Sequence, residues 1–314
     1  MGPRELLLLR HGRAEPGSLG ADRVRPLTDA GKRDIQRVGV LLQARGWLPD
    51  ATIASPAVRT HVTAEKSLKA GGRGVGSLTT DARIYDASLS SLLRVLATAP
   101  VTLRRVMLVG HNPGLSTLLG YLSDQPAAMQ PGMLARVCMP LDWTALPRGG
   151  ASLLDIVDPE TLPRDFGFPG PDGPERRKRP AYYYAQSGVV PYRVHDGALE
   201  VLLVRSSKKK RWVVPKGIIT PGLSPQASAA KEAREEAGVD GEVENSSLGA
   251  FTFKKWGAPV TCELYPMRVT RVLDDADWEE RHRGREWVSA EEAIERLGRD
   301  GIKPLVRALV QRLR

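Results

Sequence analysis

The first half of the sequence repeats one pattern three times. An apolar run ends in a short loop that bears an arginine or a histidine, and a helix-like stretch follows. The runs occupy residues 5–9, 51–54 and 106–109. This alternation predicts a parallel sheet with helices on both faces, which is a three-layer α/β fold. In open sheets of this kind ligands bind beyond the carboxyl ends of the strands, so we expect the three loops to meet at one edge.

These loops carry residues suited to phosphoryl transfer. A histidine can accept a phosphoryl group covalently and so divide the transfer into two easier steps. Arginines and a second histidine can hold the equatorial oxygens as charge spreads over them. A lone histidine after a strand is more often a core or capping residue, but three matching loops in chain order favour a phosphoryl pocket. The predicted pocket residues are Arg10, His11, Arg59 and His111.

This set resembles the histidine phosphatase superfamily, with its Arg-His-Gly signature, across about residues 4–160. The segments RPLT and GHNPGL resemble the SixA phosphohistidine phosphatases in particular. The resemblance implies that His11 is the phosphorylated nucleophile, that Arg13 contacts the substrate and that this domain needs no metal. Asp86 is the candidate general acid, and a helix N-terminal cap is the alternative role for this residue.

The second half is organised around residues 213–238, which read VVPKGIITPGLSPQASAAKEAREEAG. A strand leads through a Gly/Pro loop into a helix on which Glu232, Glu235 and Glu236 share one face. Carboxylates this close repel one another unless a cation lies among them, and a hard divalent ion is the simplest neutraliser. The pattern predicts a metal site for phosphate chemistry. A solvated helix face, with Gly238 as its C-cap, is the alternative.

The same stretch resembles the Nudix box, G-x5-E-x7-R-E-U-x-E-E-x-G-U, in which U is apolar. Two positions depart from this pattern: Leu223 replaces the first glutamate, and Lys231 replaces the arginine. The resemblance implies an α/β/α Nudix fold that binds Mg²⁺ or Mn²⁺ and uses Glu235 in catalysis. The metal ligands that it implies are Gly217, Glu232, Glu235 and Glu236.

The role of the missing glutamate is open. A glutamate beyond the box can supply the base that Leu223 does not, and the sequence leaves Glu279, Glu280 and Glu286 as candidates. The flanking segments over residues 186–309 resemble the diphosphoinositol polyphosphate phosphohydrolases. That branch acts on inositol pyrophosphates and dinucleoside polyphosphates, so the resemblance makes these the expected substrates.

A run of four cations precedes the strand that delivers the box. Such a run is either the tip of a hairpin in water or a clamp for a polyphosphate. We favour the clamp because the run adjoins the predicted metal loop. The predicted substrate-binding cations are Lys208, Lys209, Lys210, Arg211 and Lys216.

At 314 residues the chain exceeds the usual size of one domain. Between the two halves lies a stretch rich in proline and glycine, which disfavour regular structure. We predict a phosphatase domain at residues 1–164, a linker at 165–182 and a Nudix domain at 183–314. Two cysteines provide no disulfide framework, and no apolar run approaches about 18 residues. We therefore expect a cytoplasmic protein without a membrane partner.

The formal net charge of +10 is spread over both halves rather than gathered in one stripe. This distribution favours anionic, polyphosphorylated small molecules as partners over nucleic acid. We predict a bifunctional phosphohydrolase. The Nudix domain cuts a phosphoanhydride, and the phosphatase domain removes a phosphate from the product or from a phosphohistidine protein.

Three alternatives stay open. The first is a MutT-like nucleoside triphosphate pyrophosphatase, in which Trp212 or Trp256 would stack on the base. The second is a sensor that binds a phosphorylated ligand without cleaving it, as the departures at Leu223 and Lys231 permit. The third is RNA binding or decapping, which the basic composition permits but which no interleaving of aromatic and basic residues supports.

Overall fold

A computed structural model describes residues 4–17, 21–139, 143–170, 173–208 and 210–313. The chain divides into two compact units, Met1–Arg176 and Arg177–Arg314. Each unit combines helices with a central sheet, so the predicted α/β class is confirmed. In the described ranges no helix is both long and apolar enough to cross a membrane. The two cysteines are free thiols.

The first unit is built on a six-stranded sheet. Its strands are β1 (Arg4–Arg10), β2 (Ala51–Ala54), β3 (Leu78–Thr80), β4 (Arg105–Gly110), β5 (Leu134–Met139) and β6 (Ser152–Val157). Their order across the sheet is β3-β2-β4-β1-β5-β6. The first four strands run parallel, and β5 and β6 are antiparallel additions at one edge. The carboxyl ends of β1, β2 and β4 therefore lie side by side, as the sequence pattern predicts.

Helices cover both faces of this sheet. They are α1 (Asp29–Ala44), α2 (Val58–Ala70), α3 (Leu89–Leu96) and α4 (Gly114–Ser123). Successive residues of a strand point to opposite faces, so Leu7 and Leu9 pack under α1 and α2, whereas Leu6 and Leu8 pack under α3 and α4. All four leucines are fully buried. This is the predicted three-layer arrangement.

The expectation of an irregular linker at residues 165–182 is wrong. Two short strands, β7 (Phe166–Gly170) and β8 (Gly173–Arg177), pair with each other there. A 3₁₀ helix follows at Ala181–Tyr184. Prolines are tolerated in a two-stranded pair because each strand has a free edge that needs no N–H donor.

The second unit holds an eight-stranded mixed sheet. Its strands are β9 (Ala185–His195), β10 (Ala198–Arg205), β11 (Trp212–Val213), β12 (Lys216–Ile218), β13 (Val239–Val243), β14 (Gly249–Lys255), β15 (Ala258–Val272) and β16 (Arg285–Ser289). The main path is β11-β10-β9-β15-β13, while β12 pairs with β9, β14 with β15 and β16 with β10. Strands β9 and β15 are parallel. The short strand β12 begins at Lys216, so it carries the glycine of the box.

Helices also cover both faces of the second sheet. One face packs against α5 (Pro225–Glu232), which continues into a π-helical turn at Ala233–Ala237. The other face packs against α6 (Ala290–Arg296) and α7 (Lys303–Leu313). Gly238 ends the π-helical turn with a φ of 62°, so this glycine is a C-cap as the alternative interpretation expects. The predicted α/β/α arrangement is confirmed.

Candidate active sites

The first candidate site lies at the carboxyl edge of the first unit's sheet, where the loops after β1, β2 and β4 meet. It is a cavity of about 710 Å³. The side chains predicted from the sequence that line it are Arg10, His11, Arg13, Arg59 and His111. Arg25, Thr28 and Asn112 line it as well. A strongly cationic cavity with two imidazoles is suited to a phosphoryl group.

His11 is held in the form that a nucleophile needs. Its Nδ1 lies 2.8 Å from the carbonyl oxygen of Gly12. Because a carbonyl only accepts, Nδ1 carries the proton and Nε2 keeps its lone pair. Burial, with the charges of Arg59 and Arg10, lowers the pKa of His11 to about 4. The imidazole is therefore neutral near pH 7.

Two helices fix the loop that carries His11. The backbone N–H of Gly12 donates to Thr63 Oγ1 on α2 at 3.0 Å. On the other side, a Cβ at Gly31 of α1 would lie 2.2 Å from the carbonyl oxygen of Arg13. Only glycine lets the first turn of α1 approach the loop this closely. The loop is thus clamped between the N-terminal parts of the two helices.

Arg59 and His111 form the opposite wall of the cavity. Arg59 is 6% exposed, and its NH2 lies 3.3 Å from His111 Nδ1. A guanidinium only donates, so Nδ1 is the acceptor and Nε2 carries the proton toward Ser55 Oγ at 2.9 Å. Burial and the charge of Arg59 lower the pKa of His111 to about 3. The ring centroids of His11 and His111 are 5.2 Å apart, so one phosphoryl group can contact both.

Two of the pocket arginines keep an unsatisfied donor. Arg10 donates from NH1 to the carbonyl oxygen of Met129 at 2.7 Å. Within the described part of the chain, the buried Nε atoms of Arg10 and Arg59 have no hydrogen-bond partner. Unpaired buried donors are costly, and they commonly mark a binding site for an acceptor. Oxygens of a bound phosphoryl group are acceptors of this kind.

The sequence analysis missed a carboxylate that binds two arginines of this pocket. Asp22 accepts hydrogen bonds from Arg59 NH2 at 2.7 Å, Tyr85 Oη at 2.7 Å and Arg25 NH1 at 3.0 Å. These donors, Tyr85 first, hold the pKa of Asp22 well below its usual range. The carboxylate therefore stays ionised and competes with a phosphoryl group for Arg59. No signal in the sequence brings Asp22, Arg59 and Tyr85 together, because they belong to three separate segments.

Asp86 is placed differently from either expectation. Its side chain is exposed, it does not line the cavity, and its backbone has a φ of 50°. Ser88 caps α3 instead, since its side chain accepts from the backbone N–H of Ser91. The capping role predicted for Asp86 is therefore wrong, and the geometry gives no support to a general-acid role.

Arg13 stands at the rim with its guanidinium already engaged. NH2 lies 2.5 Å from Asp34 Oδ2, and NH1 lies 3.2 Å from Glu160 Oε1. Asp34 is buried and also pairs with Arg37. A guanidinium has five N–H donors, so Arg13 can contact a substrate with its remaining donors or by exchanging one of these carboxylates.

The second candidate site lies in the second unit, where β12 meets the end of α5. The carboxylate of Glu232 occupies the space beside Gly217, because a Cβ built on Gly217 would lie 2.1 Å from both Glu232 Cδ and Oε1. Any side chain at position 217 would displace the carboxylate. The structure therefore brings Gly217 and Glu232 together as the box predicts.

Glu236 links this pair to a residue outside the box. Its Oε2 accepts from the backbone N–H of Lys216 at 3.1 Å, and its Oε1 accepts from Arg283 NH2 at 2.7 Å. The Nε of Arg283 also binds the carboxylate of Glu280. Of the three glutamates that the sequence left open, Glu280 is thus the one tied to the box carboxylates.

The other two candidates are not paired with Arg283 in the described structure, although the charge of Glu279 contributes to raising the pKa of Lys231. Glu286 pairs with Arg296, at 2.7 Å between the nearest atoms, and Glu279 has an exposed side chain. Leu223 is also exposed, just before Ser224 caps α5. The sequence could not rank these glutamates, whereas the structure links Glu280 to Glu236 through Arg283.

Glu235 does not join Glu232 and Glu236 in this conformation. Both of its carboxylate oxygens lie 2.5 Å from Nζ of Lys231, the residue that replaces the arginine of the box. Over the residues that the structure describes, no three Asp, Glu, His or Cys side chains are gathered closely enough to hold a metal ion. The predicted convergence of three glutamates requires Glu235 to leave Lys231.

The remaining two carboxylates form a donor set that suits a cation. Burial, and then the charge of Glu236, raises the pKa of Glu232 to about 7. Burial likewise raises the pKa of Glu236, although Arg283 offsets part of this. Two partly buried carboxylates that repel each other, next to a glycine that leaves room for them, form an oxygen-donor set suited to a hard divalent ion.

The predicted cations divide into two groups. Lys208 and Lys210 are exposed, and Lys209 lies outside the described residues. By contrast, Nζ of Lys216 lies 5.5 Å from the ring centroid of Phe253. The side chain of Arg211 packs on Gly298, where a Cβ would lie 2.8 Å from it.

The two tryptophans left open by the sequence are in different environments. Trp212 is covered by Arg205 and Arg296, whose guanidinium carbons lie 4.1 Å and 4.6 Å from its ring centroids. Trp256 lies in the turn between β14 and β15, with Nζ of Lys255 at 4.2 Å from its ring. Sequence inspection overlooked this region, although the runs RRKRPAYYY and KKW place basic residues next to aromatic ones.

Comparison with known proteins agrees with this division. The model of the NUDIX domain family matches residues 185–309. Nudix hydrolase 21 of Arabidopsis thaliana is 33% identical over 144 residues, which cover 44% of this chain and 71% of that protein. Diphosphoinositol polyphosphate phosphohydrolase 3-alpha of Homo sapiens is 40% identical over 102 residues, which cover 31% of this chain and 60% of that protein.

One solved structure is similar to about half of this chain. A protein from Nakamurella multipartitia named phosphohistidine phosphatase SixA is similar at a TM-score of 0.44 and 26% identity. The match covers 51% of this chain and 98% of that one.

The family model and the relatives place the second unit among the Nudix hydrolases. Through this unit the chain belongs to the Nudix family.

Proposed function

We propose that the chain is a bifunctional phosphohydrolase with two catalytic domains, separated within residues 165–182. The Nudix domain hydrolyses a phosphoanhydride in a polyphosphorylated small molecule with Mg²⁺ or Mn²⁺. The first domain is a phosphatase that works through a phosphohistidine. The pairing of Gly217, Glu232 and Glu236 in one unit, and of His11 with Arg59 and His111 in the other, is the observation that carries the proposal.

In the Nudix domain, Glu232 and Glu236 would hold the cation with the carbonyl oxygen of Gly217, and Glu235 would join after release from Lys231. Nudix hydrolases generally use divalent metals, and Mg²⁺ bound here would neutralise the phosphates next to the bond that breaks. We assign to Glu280 the role that Leu223 leaves vacant, which is to orient and deprotonate the attacking water. Arg283 holds Glu280 next to Glu236 for this task.

In the phosphatase domain, Nε2 of His11 attacks the phosphorus atom while the bond from phosphorus to the leaving group breaks. Arg10, Arg59 and the N–H groups around the cavity hold the three transferring oxygens. Water then attacks the phosphohistidine, phosphate leaves, and His11 returns to the neutral form that its lowered pKa favours. No metal is needed for either step.

For the substrate, inositol pyrophosphates and dinucleoside polyphosphates are the proposed classes. One relative is named a diphosphoinositol polyphosphate phosphohydrolase, and one similar structure is titled an Ap4A hydrolase. A phosphohistidine protein is a second proposed substrate of the first domain. A MutT-like nucleoside triphosphate pyrophosphatase is the nearest alternative, and a sensor is the alternative from another class that the departures at Leu223 and Lys231 favour.

The test uses the full chain with one site disabled at a time. Glu232→Gln should abolish Mg²⁺-dependent cleavage of a polyphosphate panel and leave phosphoenzyme formation intact. His11→Asn should do the reverse. Glu242→Gln and His61→Asn, at exposed positions, are the matched controls. Turnover that survives Glu232→Gln, or phosphoenzyme that survives His11→Asn, would contradict the proposal for that domain, and binding without turnover would favour the sensor.

A further inference from the structure

A second cavity of the first unit adjoins the phosphatase pocket. It has a volume of about 480 Å³, and Arg13 and Ala30 line both cavities. A substrate bound in the first cavity can therefore extend past Arg13 into the second. The other residues that line the second cavity are Arg33, Asp34, Arg37, Glu160 and Arg164.

One face of α1 supplies most of this second cavity. Ala30, Arg33, Asp34 and Arg37 stand at positions i, i+3, i+4 and i+7, so their side chains form one stripe along the helix. The segment that follows β6 supplies the rest of the wall. The cavity is thus built by two elements of the first unit, next to the loop that carries His11.

The acidic side chains of the second cavity do not neutralise its arginines. Four arginines and two carboxylates line it, so two positive charges are in excess. Asp34 is buried and shared between Arg13 and Arg37. Glu160 is 68% exposed, and it lies 3.2 Å from NH1 of Arg13. Excess positive charge in a concave site favours an anionic ligand.

Three arginines of this cavity keep donors for a ligand. Among the residues that the structure describes, the guanidinium groups of Arg33 and Arg164 have no carboxylate within 4 Å. Arg33 is half-buried and Arg164 is exposed. The side chain of Arg37 is 11% exposed, and its buried Nε has no hydrogen-bond partner in the described ranges. A buried donor without a partner is costly, so a ligand that supplies an acceptor here is favoured.

We propose that the second cavity is an anion-binding site of the phosphatase domain that holds a phosphate group other than the one transferred to His11. Arg33 and Arg164 bind this second phosphate, because a planar guanidinium donates two parallel hydrogen bonds to phosphate oxygens. An excess of two positive charges matches a phosphate dianion better than a carboxylate, which carries one charge. The substrate class is therefore a small organic molecule with two separate phosphate monoesters. This inference rests on the proposed phosphatase activity and narrows its substrate.

Hydrolysis by the full chain tests this assignment. The substrates are linear alkanediol bisphosphates of increasing length, and each is compared with the monophosphate of the same diol. A chelator keeps the Nudix domain inactive. The ratio of the two kcat/KM values, divided by two for the two equivalent phosphates, should reach about tenfold at the best length, which is the effect of one contact between charged groups.

Arg33→Met removes the guanidinium and keeps most of the apolar stem. It should lower the bisphosphate-to-monophosphate ratio at least about fivefold, since water screens part of the contact at this half-buried position. Arg164→Met should lower the ratio in the same direction, and it provides a second variant if Arg33→Met unfolds. Arg73→Met is the matched control, because it removes the same charge from an exposed turn that lines neither cavity.

Two results would overturn the inference. The first is a ratio near one for every length in the wild type. The second is an unchanged ratio in both Arg33→Met and Arg164→Met. If the ratio is near one but Arg33→Met slows dephosphorylation of a phosphohistidine protein, the cavity serves an acidic protein surface and the inference fails as well.

A binding measurement separates this inference from the proposed activity. Alkylene bisphosphonates cannot be hydrolysed, and calorimetry compares them with the matching monophosphonates. If Arg33→Met weakens the bisphosphonate more than the monophosphonate but the wild type releases no phosphate from any substrate, the site stands and the phosphatase proposal fails. If phosphate is released through His11 while Arg33→Met weakens both ligands equally or neither, only the second site fails.

Discussion

Replacing Glu280 by glutamine removes one negative charge and keeps the size of the side chain. In the structure its carboxylate binds Nε of Arg283, whose NH2 lies 2.7 Å from Glu236. The side chain of Arg283 is 10% exposed and that of Glu236 is 12% exposed, so the pair is largely shielded from water. Glu280 is 34% exposed, so it can reach both this pair and a water molecule.

Two magnitudes separate a catalytic role from a purely structural one. A hydrogen bond to a charged group contributes about 1.5–3 kcal/mol to stability, and the exposure of Glu280 places it toward the lower end. Loss of a general base typically lowers the rate about 10²- to 10⁴-fold, which is about 2.7–5.5 kcal/mol. We expect Glu280→Gln to lower kcat at least about 100-fold and to leave KM within about threefold.

The assay is steady-state hydrolysis with saturating Mg²⁺, together with thermal unfolding of the same samples. Glu279→Gln changes the neighbouring, exposed residue, and Glu286→Gln breaks only the surface pair with Arg296. Both control variants should retain kcat within about threefold of the wild type, since neither residue is tied to the box carboxylates. A Glu280→Gln enzyme that is less stable but turns over normally would refute the assignment and leave Glu280 as a brace for Arg283.

Two further predictions concern the separate sites. In an NMR titration of the histidine rings of the full chain, two resonances should titrate near pH 4 and pH 3, and His11→Asn and His111→Asn should each remove one of them. Because burial favours the neutral form, both rings should stay uncharged from pH 8 down to about 5. Midpoints near 6.5 would show that the cavity is open to water. Gly217→Ala should abolish metal-dependent turnover, because its Cβ would lie 2.1 Å from Glu232 Cδ. In the control Gly76→Ala the added Cβ meets no atom within 4 Å, so turnover should not change. Normal turnover of Gly217→Ala would show that Glu232 can move without loss of activity.

Local patterns were sufficient to predict the parallel sheet of the first unit, whereas the fold of the second unit was expected from its resemblance to the Nudix box. Apolar runs that alternate with loops and helix-like stretches predict a parallel sheet, because apolar residues recur with different periods in strands and in helices. The burial of the β1 leucines follows from the same pattern. The residues at the strand ends were also predictable, since parallel strands bring their carboxyl ends to one edge. His11 and His111 meet for this reason, although 100 residues separate them.

The failures have equally specific causes. The linker at 165–182 contains a pair of strands because prolines are excluded only from positions whose N–H must bond. Asp86 looked suitable as an acid because of its place in the sequence, but the backbone turns its side chain into water. The clustering of Asp22, Arg59 and Tyr85 depends on three loops whose approach no local pattern encodes.

By itself, the sequence determined the two kinds of chemistry, because residue type and spacing limit what a strand end or one face of a helix can present. Only the tertiary structure decided which distant groups meet near each site: Glu280 and Glu236 on Arg283, and Asp22 on Arg59. The physical reason is that the interaction between two charged side chains depends on the distance between them. For residues far apart in sequence, that distance is set only when the hydrophobic cores pack.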